Sequence, residues 1–259
     1  MISCLTITQP GRLPELARAI ACFRSQTLTE REMVIVHDGN QDFHRDLQQL
    51  VDLNFYNNQF QLHQISPGST LGALRNFAVA CARYPLVCQW DDDDIYHPRR
   101  LELQFAGLKI QGAAVCFLTE QLHLFEAQRR LCWDDWNVEA PPMHLIPGTL
   151  MGYRDALGRY PALGKGEDTP IVLDLVERGI KVIGLRNLAW LYIYSYTGKN
   201  VWDLDHHTGI SAWKQISGER IEALMSVLSA RLREYPVDLG EVFMDLDERR
   251  VTLRVGRGD

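Results

Sequence analysis

Short apolar runs alternate with amphipathic stretches over the first 120 residues, and this alternation constrains the fold more than any other feature of the chain. Ile2–Thr8, Met33–Val36, Leu86–Trp90 and Ala113–Leu118 read as buried strands, with Gln61–Ile65 as a shorter one. Between them, Leu13, Leu16, Ala17, Ile20 and Phe23 recur at helical spacing, and Phe43–Leu53, Leu71–Ala82 and the stretch from Pro98 to about Ile110 follow the same period. Strand–helix alternation of this kind builds an α/β fold with a mostly parallel sheet flanked by helices. Ligands of such sheets bind beyond the carboxyl ends of the strands. Thr8, Asp38 and the run Asp91-Asp92-Asp93-Asp94 each lie just after an expected strand. The three should therefore converge at one sheet edge.

The second half is less regular. Gln121–Trp133 suggests a hairpin, Leu145–Met151 a strand, Thr169–Arg178 a helix stopped by Gly179, and Lys181–Ile183 and Ala189–Tyr194 two further strands. Gly218–Arg233 is amphipathic, and Glu241–Asp245 with Arg250–Val255 suggest a terminal hairpin. The expected organisation is one domain over 1–214, divided into a first half (1–120) and a second half (121–214). A helix-plus-hairpin appendage over 215–259 would follow.

With 46% hydrophobic and 23% charged residues, the chain can bury a proper core. Its net charge of -6 argues against a broad nucleic-acid surface. The six cysteines form no C-x-x-C pair and sit mostly in apolar runs, as reduced core residues of a cytosolic protein do. Met1-Ile2-Ser3-Cys4-Leu5 lacks the basic start of a signal peptide, and no run of about 20 apolar residues is present. These features lead us to expect cytoplasmic residence, with at most a peripheral contact at the inner face of the membrane.

Four consecutive aspartates are hard to explain as ordinary structure. Two unit charges about 6 Å apart at an effective dielectric near 20 repel by about 3 kcal/mol. In extended chain, Asp91 and Asp93 would share one face and Asp92 and Asp94 the other. Hard oxygen ligands at this spacing suit Mg²⁺ or Mn²⁺, ions that also bind diphosphate. A solvated acidic loop is the competing reading. It is disfavoured by the apolar strand that leads in and the proline-initiated helix that leads out.

The segment from Gln89 to Leu101 resembles the DXD region of family 2 glycosyltransferases, which have the GT-A fold. Other landmarks of that family follow in order: Ser25-Gln26-Thr27 after the first helix, Val34-Ile35-Val36-His37-Asp38-Gly39, Gly72-Ala73-Leu74-Arg75-Asn76, and Gly166-Glu167-Asp168 before a helix. The resemblance implies a Rossmann-like mixed sheet and a metal-dependent, inverting transfer of one sugar. The donor would be a nucleotide-sugar, UDP-linked by expectation, and the acceptor a hydroxyl of a glycan or lipid-linked sugar, as in polysaccharide assembly. It implies that Thr8 and Asp38 hold the nucleoside and that Arg75 lies near the diphosphate. Asp93 and Asp91 would hold Mn²⁺ or Mg²⁺, and Asp92 would touch the ribose. Asp168 would be the catalytic base, with Glu167 the second choice. A late histidine, His206 or its neighbour His207, would close on the metal or diphosphate. Spacing alone leaves Arg75 open to a surface role, Asp38 to a turn role, and Asp168 and Glu167 to N-terminal helix charge. Trp133, Trp136 and Trp202 could stack on an acceptor sugar or pack the core.

The sequence departs from the family pattern at Gln9-Pro10 and at His37. A sugar-phosphate nucleotidyltransferase would need a glycine-rich basic loop where Gln9-Pro10-Gly11-Arg12 stands. A non-catalytic nucleotide-sugar or protein-binding module would be expected to lose Asp93 or Asp168.

Overall fold

The computed structural model describes residues 1–54, 59–246 and 249–257. The amino-terminal half runs β1 (Ile2–Ile7), α1 (Leu13–Arg24), β2 (Arg31–His37), α2 (Gln41–Asn54), β3 (Phe60–Gln64), α3 (Leu71–Cys81) and β4 (Leu86–Gln89). There follow β5 (Ile95–Tyr96), α4 (Arg100–Gln111), β6 (Val115–Leu118), β7 (Glu120–Phe125), β8 (Arg130–Asp135) and β9 (Met151–Tyr153). The chain closes with α5 (Thr169–Glu177), β10 (Val182–Leu185), β11 (Tyr192–Tyr196), α6 (Leu204–Lys214), α7 (Gly218–Leu232), β12 (Gly240–Leu246) and β13 (Arg249–Val255).

Seven strands form the main sheet in the order β10-β6-β9-β4-β1-β2-β3. All neighbours are parallel except β9, which runs antiparallel between β4 and β6. Period-2 alternation sorts the strand side chains between two layers. Ile2 and Cys4 of β1 face the core built with Leu16, Ile20 and Phe23 of α1, Leu47 of α2 and Leu101 of α4. Leu5 and Ile7 face Leu74 and Ala78 of α3. Further along, Val115 and Phe117 of β6 meet Ile171 and Leu175 of α5. The sheet is thus covered on both faces, and its carboxyl edge is left for the polar residues.

A second sheet was not anticipated. It has six strands in the order β13-β12-β8-β7-β11-β5. The terminal hairpin pairs with β8 through Phe243 and Arg130, so residues 240–255 extend the sheet that begins at β7. Tyr235 hydroxyl donates to the Trp190 carbonyl at 2.7 Å and packs α7 onto the same core. All six cysteines are free and five are buried. No described helix is long and apolar enough to cross a membrane.

Two local expectations need correction, and one helix was not expected. Leu145–Met151 is not a strand; Pro147-Gly148 force a short 3₁₀ turn at Pro147–Thr149, and β9 begins only at Met151. Ala189–Leu191 is likewise a 3₁₀ turn, and β11 starts at Tyr192. The stretch 204–214, for which no element was expected, is helix α6 with Asp203 as N-cap.

The Gly72–Asn76 stretch has a packing reason. A Cβ on Gly72 would stand 1.8 Å from the Pro161 carbonyl oxygen. The Gly72 amide donates to the Leu163 carbonyl at 3.1 Å, while the Asn76 carboxamide pairs in both directions with the Tyr160 backbone at 2.8 and 2.9 Å. These contacts fasten α3 to the segment leading into Gly166-Glu167-Asp168. Gly72→Ala is therefore expected to cost about 1–3 kcal/mol through overpacking. Each kcal/mol lowers the melting temperature by roughly 2–4 °C in a domain of this size. A thermal melt of the variant that matches the parent would refute this docking role.

Candidate active site

The carboxyl ends of β1, β2 and β4 open into one cavity of about 530 Å³. Thr8, Asp38, Arg75, all four aspartates of the run, Glu167, Asp168, Trp136, Trp202 and His206 line it. The convergence expected from strand-end position is therefore observed, and residues from the second half complete the wall.

Asp91–Asp94 do not continue β4 as extended chain. The backbone turns at Asp92-Asp93, so the expected alternation of faces fails. Asp91 points to Arg75 (Nη2 to Oδ1, 3.0 Å) and Gln89 (2.9 Å). Asp92 and Asp93 converge instead on one nitrogen: Arg12 Nη1 lies 2.9 Å from Asp92 Oδ1 and 3.0 Å from Asp93 Oδ2. Asn200 also donates to Asp93 Oδ2, at 3.0 Å. Asp94 leaves the group, accepting from Tyr192 hydroxyl at 2.6 Å and from the Ser195 amide at 3.0 Å. It anchors β11 beside the site.

Arg75 joins the acidic run to the Glu167-Asp168 pair. Its Nε lies 2.5 Å from Glu167 Oε1 while Nη2 holds Asp91. The guanidinium is almost wholly buried, so the surface reading is wrong. Burial opposes its charge, but Asp91 and Glu167 outweigh that and raise its pKa well above the ordinary value. Glu167 is committed to this pair and is itself buried. Asp168 is the N-cap of α5 and accepts only from the Thr169 amide, at 2.9 Å, among the described hydrogen bonds. Burial, then the neighbouring Glu167 charge, raise its carboxyl pKa to about 6, against the lowering pull of Arg75.

Thr8 is buried at the end of β1, and its hydroxyl has no partner among the described residues. Asp38 accepts from the Gly68 amide at 2.9 Å, the turn role, while still lining the cavity. His37 is buried against His44 (3.0 Å) and Phe43 and does not line the cavity. The two adjacent histidines of α6 part company. His206 lines the cavity and stacks on Trp202 at 4.3 Å and 17°. His207 is buried, with Nδ1 2.9 Å from Nε2 of His123, whose Nδ1 meets Asp134 at 3.0 Å. Trp133 belongs to the core, its indole donating to Glu120, whereas Trp136 and Trp202 reach the cavity.

The donor set suits a hard cation only in part. Among the described residues, no three His, Cys, Asp or Glu side chains stand close enough together to hold an ion by themselves. Asp91, Asp93 and His206 therefore line one cavity without forming a closed cage. Yet the cavity carries seven carboxylates against Arg12, Arg75 and Lys165. Burial, then the adjacent Asp92 charge, raise the Asp93 carboxyl pKa to about 7, and Asp92 Oδ2 is buried without a partner. One or two of these carboxylates could hold a hard cation such as Mg²⁺ or Mn²⁺ only with ligands from outside the chain. Arg12, Asn200 and Tyr192 are the site residues that the sequence reading missed. For Arg12 the available signal was its place in the β1–α1 turn, at the same edge as Thr8.

Comparison with known proteins agrees with this geometry. Residues 10–131 match the family model of Glycosyl transferase family 2. None of the curated proteins matches the sequence. Among solved structures, S. aureus TarS 1-349 in complex with UDP-GlcNAc aligns with a TM-score of 0.61 at 15% identity, covering 91% of this chain and 67% of that one. The same TarS 1-349 solved separately gives 0.60 at 14% identity, and this chain spans 66% of its length. GalNAc-T7 with UDP, GalNAc and Mn2+ gives 0.58 at 11% identity, covering 76% of this chain and 44% of that one. Likeness at such identities speaks for the fold. Fold and cavity together are those of the GT-A class. Over residues 10–131, a little less than half of its length, the chain is similar to glycosyltransferase family 2.

Proposed function

We propose that the chain is a metal-dependent, inverting transferase that moves one sugar from a UDP-sugar to a hydroxyl of a glycan or lipid-linked acceptor. The observation that carries this reading is Arg75, which bridges Asp91 and Glu167 and so puts the acidic run and the Glu167-Asp168 pair on one cavity wall. Thr8 and Asp38 receive the nucleoside; the idle Thr8 hydroxyl and the Asp38 carboxylate offer hydrogen bonds to a pyrimidine or a ribose. The nucleotide choice is supported by the UDP-GlcNAc and UDP complexes among the structural neighbours.

Asp93 and Asp91 would hold the divalent ion, with His206 as a candidate further ligand, and Asp92 would face the ribose side. A bound ion supplies positive charge to the departing diphosphate. Asp168 accepts the proton of the acceptor hydroxyl as its oxygen bonds to the anomeric carbon. The bond from that carbon to the phosphate oxygen breaks in the same step, so the anomeric centre inverts and UDP leaves. Trp136 and Trp202 supply apolar faces for the acceptor sugar. Synthesis of a surface polysaccharide at the cytoplasmic side of a membrane fits this chemistry.

Calorimetry with UDP, GDP, CDP and ADP, with and without Mn²⁺, tests the reading. UDP is expected to bind only with Mn²⁺, and Asp93→Ala to weaken it by at least about 100-fold, or ~2.7 kcal/mol. If no nucleotide binds to the parent protein under any condition, the donor site is refuted.

A further inference from the structure

Arg12 stands in the β1–α1 turn, at the same sheet edge as Thr8. It follows Gly11, whose φ of +90° sets the turn before α1, and it occupies the N-cap without capping through its side chain. The side chain instead crosses to the acidic run. A single nitrogen, Nη1, serves both Asp92 and Asp93, and Nη2 donates to the Lys199 carbonyl at 2.7 Å. The Nε–H is buried and has no acceptor among the described residues, although the residue is 8% exposed and lines the cavity. Lys199 in turn reaches Glu15 at 2.8 Å and the Gly11 carbonyl at 3.2 Å.

Resting on the donor-site reading above, we infer that Arg12 is an internal counter-cation of this site. In the donor-free protein it neutralises Asp92 and Asp93. When the nucleotide-sugar binds with its divalent ion, Arg12 yields those carboxylates and donates to the diphosphate.

Three considerations carry the exchange. Asp93 Oδ2 already has two donors, Arg12 and Asn200, so an ion approaching it competes with a guanidinium that keeps its charge at every accessible pH. The second is charge: seven lining carboxylates face three cations, and a diphosphate adds further negative charge. Freeing Arg12 toward the phosphates lets the ion and the guanidinium act together where the guanidinium had acted alone. Third, Arg75 is committed on both edges to Asp91 and Glu167, whereas Arg12 retains an unused, inward N–H. The Lys199 contacts to Glu15 and Gly11 hold segment 197–202 independently of that exchange.

The test is Mn²⁺ binding to the nucleotide-free protein, read by electron paramagnetic resonance, in the parent, Arg12→Gln and Arg12→Lys. Arg12→Gln should bind Mn²⁺ at least about tenfold more tightly than the parent, and UDP at saturating Mn²⁺ about tenfold less tightly. Arg12→Lys, which keeps the charge, should stay near the parent for Mn²⁺. Unchanged or weaker Mn²⁺ binding in Arg12→Gln overturns the inference. Should the parent fail to bind UDP at saturating Mn²⁺, the donor reading falls, while the Mn²⁺ comparison still decides the counter-cation. If Arg12→Gln does not fold, the Arg12 Nε–H resonance of the parent decides instead, assigned by its loss in Arg12→Lys. It should shift when Mg²⁺ and UDP are added together, and a signal that stays in place overturns the exchange.

Discussion

Asp168→Asn should lower kcat by about 10³-fold and leave UDP affinity within about threefold, the mark of a lost general base. Asparagine keeps an oxygen that can accept from the Thr169 amide, so the cap of α5 survives the exchange. It lacks the basic oxygen that takes a proton. The pH profile makes the assignment sharper. The Asp168 carboxyl is raised to about 6, mainly by burial and next by Glu167. Only the ionised form accepts a proton, so kcat should fall as pH drops through about 6 and level off above about 7. In Asp168→Asn that acid limb should disappear. Glu167 is a poorer base because Arg75 holds it at 2.5 Å, and Glu167→Gln should reduce stability along with activity. Steady-state kinetics between pH 5 and 8 on the three proteins decide the matter. A fully active Asp168→Asn would rule out Asp168 as the base.

Much of this site was legible because strand ends are legible. The apolar runs ending at Thr8, Asp38 and Asp91 fixed the edge where the polar residues meet, and the parallel registers of β1 with β2 and β4 bring them together. What escaped the sequence escaped for physical reasons. Helix α6 buries His207, Ser211 and Lys214, so the face it turns inward is polar and carries no apolar period. The buried Asp134–His123–His207 chain that receives it joins residues far apart in sequence. The two residues of β5 pair with β11 across about 100 positions, too short a strand to show a pattern. The acidic run was read as extended chain, but it turns, and the turn gives Asp92 and Asp93 a common partner in Arg12. Spacing could not tell a buried Arg75 from a surface one, because what buries it, Tyr160 and Glu167, comes some 90 residues later.

That burial makes Arg75→Met the substitution with the largest expected effect on stability. Arg75 pairs with Asp91 at 3.0 Å and with Glu167 at 2.5 Å, all within a nearly closed part of the cavity wall. Removing one member of a buried ion pair leaves its partners charged and desolvated, typically a loss of about 3–5 kcal/mol. In a domain of this size that corresponds to a fall of roughly 10 °C in melting temperature. Arg75→Lys keeps one charge but cannot present Nε and Nη2 to two carboxylates at once, so it should recover only part of the loss. The double variant Arg75→Met, Glu167→Gln removes the uncompensated carboxylate nearest the lost cation. It should melt above Arg75→Met alone, yet bind UDP more weakly than the parent, because Asp91 still lacks the guanidinium that orients it. Thermal melts and UDP titration of the three variants separate the two roles. If the double variant bound UDP as tightly as the parent, Arg75 would be a structural brace with no part in placing Asp91.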